Sequence, residues 1–111
     1  DWESAEVAAA RLREYGARQV IVTLGARGAV LAGPDGVVHQ PAFPVASRDA
    51  VGAGDAFVGT FSVGVGSGLA APEALRRAAA AGALATLTSG AQPSLPTAAA
   101  VDAFLAECGE N

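Results

Sequence analysis

Asp49-Ala50-Val51-Gly52-Ala53-Gly54-Asp55-Ala56-Phe57 is the stretch on which the reading of this chain turns. Small residues at Gly52, Ala53 and Gly54 leave the backbone N–H groups uncovered. From Asp55 the spacing becomes helical, with Phe57, Val58, Phe61 and Val65 on one side. Amides at the start of a helix lack intrahelical acceptors and stand at the positive end of its dipole, so they form an anion hole suited to a phosphoryl group. Asp55 stands beside that hole. A carboxylate there repels a bound phosphate, unless its task is to take a proton from an attacking hydroxyl while the amides hold the transferring oxygens. A plain glycine-rich turn, with Asp55 as a first-turn acid, fits the same residues. Two rival phosphate motifs fail outright. A Walker A loop needs a lysine and this chain has none, and a dinucleotide fingerprint needs glycine where Phe57 stands.

Upstream of this stretch, Ser4 to Tyr15 carries Val7, Ala8, Leu12 and Tyr15 at helical spacing, with Gly16 as the C-cap. Gln19-Val20-Ile21-Val22-Thr23-Leu24 is β-branched and nearly continuous, the pattern of a strand buried on both faces of an α/β sheet. A helix followed by such a strand is half of a βαβ unit, which predicts a parallel sheet. Gly25-Ala26-Arg27-Gly28 reads as a turn. Beyond it, Ala29 to Ala32 and Val37 to Gln40 read as hairpin arms around Gly33-Pro34-Asp35-Gly36. Downstream, Pro72 opens an alanine-rich helix that runs through Leu87. Ser89 to Pro96 is a loop, and Thr97 caps a last helix carrying Val101, Phe104 and Leu105.

The whole chain, 111 residues, is the size of one domain, and its apolar fraction can fill a core. Its seven basic residues are all arginine and the net charge is −4, without the basic stripe that a nucleic-acid partner needs. Polar residues or glycines interrupt every apolar run, so no membrane span is expected. Cys108 is the single cysteine, which excludes an internal disulfide and fits a cytoplasmic setting. Methionine is absent and the chain opens Asp1-Trp2, which reads as a fragment without its N-terminal part. Glu3, Glu6, Glu14, Arg76 and Arg77 read as solvated helix charges, and His39 as an exposed strand residue.

Taken with its neighbours, the opening stretch resembles the second signature, D-T-x-G-A-G-D-x-F, of the ribokinase-like (PfkB) carbohydrate kinases. Val22-Thr23-Leu24-Gly25-Ala26-Arg27-Gly28 resembles that family's nucleotide-binding strand and turn, and Gly90-Ala91-Gln92-Pro93-Ser94-Leu95-Pro96-Thr97 its ribokinase-type ending. The three segments occur in family order and cover nearly the entire chain. The resemblance implies an α/β fold, part of a ribokinase-like three-layer α/β/α sandwich with a mainly parallel sheet plus a β-hairpin. Residues 1–111 would form the C-terminal, nucleotide-binding portion, without the N-terminal sugar-binding and lid half.

By the same resemblance, Asp55 is the base that deprotonates a sugar hydroxymethyl group, and Gly52, Ala53 and Gly54 form the anion hole. Thr23, Gly25 and Gly28, with Leu24, Ala26 and Arg27 between them, line the phosphates and ribose of ATP, along with Gly54 and Asp55. Ala79 falls near the adenine, where the family often has a polar residue. A monovalent cation, usually potassium, is implied beside Asp49, Val51, Ala85, Thr88, Gly90 and Ser94, an oxygen-only set that suits a hard ion. Magnesium arrives with ATP. Ala50 departs from the family threonine and removes a hydroxyl that could brace the loop. Implied partners are ATP and a small sugar, with a homodimer formed through the lid. The substrate class extends to fructose, sugar phosphates and nucleosides, which share the loop motif. An alternative reading is a non-catalytic nucleotide-binding module, inactive as an isolated fragment.

Overall fold

A computed structural model describes residues 2–44, 53–87 and 96–108, and the chain divides into two compact units, Asp1–Ala42 and Phe43–Asn111. The predicted positions Asp49, Ala50, Val51, Gly52, Thr88, Gly90 and Ser94 lie outside the described residues.

The first unit lays one helix, α1 (Trp2–Glu14), on a three-stranded sheet of β1 (Val20–Thr23), β2 (Ala29–Gly33) and β3 (Gly36–Gln40), in the order β1-β2-β3. Both pairings are antiparallel, with Val20 opposite Ala32 and Ala29 opposite Gln40. The hairpin is as the sequence predicts, but no parallel pairing occurs among the described residues. The reason is local: the βαβ reading needs a strand ahead of α1, and no described strand precedes it. Burial differs too. Val20 alone is buried in β1, whereas Ala29, Val30, Leu31 and Ala32 are all buried in β2, because β2 is the central strand of the three.

The β2–β3 turn is set by Pro34. Proline fixes φ near −65°, so the primed hairpin turns, which need positive φ at their first central residue, are closed to it. Among the described residues no non-glycine residue has positive φ, and the positive angle falls instead on Gly36, at 120°.

Helix α1 buries a different face from the one its larger residues mark. Ala5 and Ala9 are buried, Ala9 among Val20 and Ala32, while Val7, Leu12 and Tyr15 are exposed, Tyr15 at 89%. Contacts with β3 set this rotation. Trp2 stacks on His39 with ring centroids 4.8 Å apart and planes 7° from parallel, and Glu6 Oε2 lies 2.5 Å from His39 Nε2. Trp2, Glu6, Ala9 and Arg13 are three to four residues apart and so share one side of a helix. Arg13 Nε donates to the Arg18 carbonyl at 3.2 Å, which ties the end of α1 to the chain entering β1. His39 and Glu6 are therefore paired rather than merely solvated.

In the second unit, α2 (Ala53–Gly66), α3 (Ala71–Thr86) and α4 (Ala98–Glu107) enclose a core of Ala56, Ala80, Ala81, Ala85, Val101, Phe104 and Leu105. Phe43 closes it with an edge-to-face contact on Phe104, centroids 5.5 Å apart. Helix α2 ends in a Schellman motif: Leu69 N–H donates to Gly64 O at 3.0 Å and Gly68 N–H to Val65 O at 3.1 Å, with Gly68 at φ 96°. The short connection returns α3 antiparallel to α2. A Cβ on Gly64 would lie 3.1 Å from the Ala74 Cβ, so the helices approach through their smallest residues. In consequence Ala56 and Gly64 are buried, Phe57 and Phe61 are half-buried and Val58 and Val65 are exposed, so the buried face is turned away from the valine edge of the expected apolar side. Pro72 occupies the first turn of α3, and the Thr97 hydroxyl accepts from Ala100 N–H at 3.0 Å, both as read from the sequence. Arg77 is not a free surface charge. It donates to Asp102 Oδ1 at 2.6 Å and to the Ala98 carbonyl at 3.4 Å, joining α3 to α4, and Arg76 pairs with Glu73 at 3.0 Å.

Candidate functional site

The predicted nucleotide turn lies entirely in the first unit. Thr23 ends β1 exposed, and Gly25–Arg27 forms a single 3₁₀ turn before Gly28 leads into β2. Three internal bonds close it: Leu24 N–H to Gly28 O at 2.7 Å, Arg27 N–H to Leu24 O at 3.1 Å and Gly28 N–H to Gly25 O at 3.1 Å. The amides of Gly25 and Ala26 head the 3₁₀ turn and have no backbone acceptor among the described residues, as expected for a first turn. Arg27 is exposed and takes no part in an ion pair or side-chain hydrogen bond among the described residues. The turn thus carries backbone amides, a hydroxyl and a guanidinium, all of them hydrogen-bond donors. Gly28 has an additional and purely structural constraint. Its φ is 115°, and a Cβ there would lie 2.1 Å from the Gln40 carbonyl oxygen, with Ala42 N and Pro41 C within 3 Å.

In the second unit α2 begins at Ala53, so Ala53, Gly54 and Asp55 form its first turn. Their amides have no intrahelical acceptor, and they sit at the positive end of the helix. Gly54 and Asp55 are exposed and Ala53 is half-buried. A Cβ on Gly54 would meet nothing within 4 Å, so packing does not demand glycine there. Asp55 makes no hydrogen bond or ion pair among the described residues. The turn therefore places amides without helical acceptors beside a carboxylate that has no partner among the described residues. Ala79 is half-buried on α3, and Ala85 is buried in its last turn, where carbonyls lack helical partners. Thr23 to Gly28 belong to one unit, and Ala53 to Asp55, Ala79 and Ala85 to the other.

The chain matches the pfkB family carbohydrate kinase over residues 1–98. It belongs to that family. Among its curated pfkB relatives, the ribokinase of Arabidopsis thaliana is 37% identical over 97 residues, which are 86% of this chain and 26% of that protein. The solved structure of Arabidopsis thaliana ribokinase complexed with ribose and ATP superposes with a TM-score of 0.86 at 36% identity, covering 95% of this chain and 34% of the other. Phosphofructokinase-2 from Escherichia coli in complex with potassium gives a TM-score of 0.81 at 30% identity, covering 94% and 33%. The chain thus spans about a quarter to a third of the length of these pfkB proteins.

Sequence reasoning passed over Gly82. A Cβ on it would lie 3.5 Å from the Ala53 carbonyl oxygen, against the first turn of α2. The available signal was a glycine inside an alanine run, where helix propensity alone favours another alanine.

Proposed function

We propose that these residues are the nucleotide-binding and phosphoryl-transfer portion of a longer ATP-dependent sugar kinase, with Asp55 as its general base. The observation that carries the reading is the first turn of α2: outward amides at Ala53, Gly54 and Asp55 beside a carboxylate with no partner among the described residues. ATP supplies the γ-phosphoryl group. Asp55 accepts the proton of a sugar hydroxymethyl group as its oxygen bonds to the γ-phosphorus and the bond to the β,γ-bridging oxygen breaks. The amides of Gly52, Ala53 and Gly54 hold the transferring oxygens, and fixed amide dipoles need no reorientation as charge shifts. The Thr23–Gly28 turn takes the remaining phosphates and the ribose through the Gly25 and Ala26 amides and Arg27. Its chemistry fits an anion, since it combines uncommitted donors with a positive charge.

Potassium beside Asp49, Val51, Ala85, Thr88, Gly90 and Ser94 is part of the same proposal. A last-turn carbonyl at Ala85 is the right donor type for a hard ion, and the potassium-bound Escherichia coli relative supports the idea. Magnesium is held chiefly by the nucleotide phosphates; no cluster of three or more metal-ligating side chains occurs among the described residues. In the complete kinase, a cytoplasmic protein in this reading, the outer edge of β1 continues into the parallel sheet of a three-layer sandwich. Dimerisation runs through a lid on the N-terminal half. No described helix is long and apolar enough to cross a membrane.

Asp55→Asn in the complete kinase is expected to lower kcat about 10²–10⁴-fold, the range for general acid–base catalysis, with ATP affinity kept within threefold. Unchanged turnover would remove Asp55 from the chemistry. The modest coverage of the relatives favours a second statement about these 111 residues alone: they bind nucleotide weakly and do not turn over. ATP turnover by the isolated chain would refute it.

A further inference from the structure

Gly82 lies inside α3, between Ala81 and Ala83, where glycine is the poorest helix former after proline. Its own helix gives no reason for it. The neighbouring helix limits the position to a small residue: a Cβ on Gly82 would lie 3.5 Å from the Ala53 carbonyl oxygen and 3.9 Å from Cβ and Cδ2 of Phe57. A methyl group is accommodated there at ordinary contact distance. Anything larger meets backbone, which cannot swing aside as the end of a flexible side chain can. The Ala53 carbonyl is also the i−4 acceptor for the Phe57 amide, so pressure on it acts on the hydrogen bond that holds the first turn of α2.

Resting on the reading of Ala53–Asp55 as the phosphoryl-transfer turn, we propose that Gly82 is a positioning residue for that turn. By presenting no side chain larger than a methyl group, the position lets α3 lie against Ala53 and fixes the directions of the amides and of the Asp55 carboxylate. Catalysis depends on such groups being held close to the productive geometry, and displacements on the order of 1 Å cost about 10²-fold in rate. The opposite end of the same helix pair supplies an internal control. Gly64 is packed more tightly, its added Cβ lying 3.1 Å from the Ala74 Cβ and 3.3 Å from Leu69 Cδ1. It lies about 14 Å along the helix from Asp55, at 1.5 Å per residue.

The test compares wild type, Gly82→Ala, Gly82→Val and Gly64→Ala in the complete kinase. The acceptor is whichever of a panel of pentoses, hexoses and nucleosides the wild type phosphorylates fastest. Readouts are kcat, KM for ATP, the thermal midpoint, and hydrogen exchange at the Phe57 amide. The expected result is a kcat loss that grows with side-chain size at position 82, reaching tenfold or more for Gly82→Val. KM for ATP stays within threefold, and Phe57 exchange quickens at least tenfold. Gly64→Ala is expected to lower the thermal midpoint with a kcat loss under threefold. If Gly82→Val does not fold, Gly82→Ser takes its place, with a threefold loss in kcat as the threshold. A Gly82→Val protein (or Gly82→Ser in its place) that keeps kcat within threefold of wild type, or a Gly64→Ala protein that loses as much kcat as Gly82→Val, overturns the inference while leaving the kinase reading intact. A wild type that phosphorylates no acceptor overturns the kinase reading and this inference with it.

Discussion

Replacing Gly28 by alanine separates two explanations of the same glycine. Its φ of 115° with ψ −141° lies near the region that only glycine enters freely, where an L-residue costs about 1–3 kcal/mol. The added Cβ would also stand 2.1 Å from the Gln40 oxygen, far inside the ~3.5 Å optimum for non-bonded heavy atoms. The atoms in its way are all backbone, so relief requires the end of β3 to move and the Ala29–Gln40 pairing to loosen. Losing one or two hydrogen bonds adds roughly 1–2 kcal/mol. The expected destabilisation is therefore about 2–5 kcal/mol, a large share of a typical 5–15 kcal/mol stability. Gly25→Ala is the matched control: its φ is 58° and its Cβ would meet nothing within 4 Å, so only the left-handed backbone term of about 1–2 kcal/mol applies. Urea unfolding of both variants in the complete protein measures the difference, and calorimetric ATP titration accompanies it. Equal stability of the two variants refutes the packing explanation. Lost ATP affinity at unchanged stability assigns Gly28 instead to direct contact with the nucleotide.

Two further outcomes follow from the helical unit. Gly54→Ala meets no steric obstacle and replaces a poor helix former, so stability should hold or rise by up to about 1 kcal/mol. The new methyl crowds the outward amides, and kcat should fall at least tenfold; steady-state kinetics beside thermal melts reveal whether the two properties part company. A double-mutant cycle of Arg77→Met and Asp102→Asn should give a coupling of about 0.5–1 kcal/mol, because the 2.6 Å bridge has Arg77 largely covered but Asp102 mostly in solvent. Coupling indistinguishable from zero in chemical denaturation would mean that apolar packing alone holds α4 on α3.

What the sequence made legible was whatever depends on the local backbone. Proline in the first turn of α3, the Thr97 cap, the Pro34 hairpin and the helix start at Ala53–Asp55 each follow from φ restrictions or hydrogen bonding within a few residues. Faces were harder to read. Hydrophobicity weights volume, so Val7, Leu12, Val58 and Val65 mark the apparent apolar sides, yet the helices turn Ala5, Ala9, Ala56 and Gly64 inward. Close approach of helix to sheet or helix to helix selects the smallest side chains, and a scale that ranks size cannot anticipate it. Distant partners were equally out of reach. His39 meets Glu6 across 33 positions and Arg77 meets Asp102 across 25, and nothing within either local window announces the other member. The candidate site divides along the same line. The amides and carboxylate of the α2 turn are consecutive, so a single stretch displays them. The implied cation set runs from Asp49 to Ser94, and only Ala85 falls among the described residues. Gly82 belongs to the second kind: its meaning lies in the Ala53 carbonyl opposite, a neighbour in space but not in sequence. A glycine that looks wasteful in its own helix is thus better read against the helix it faces.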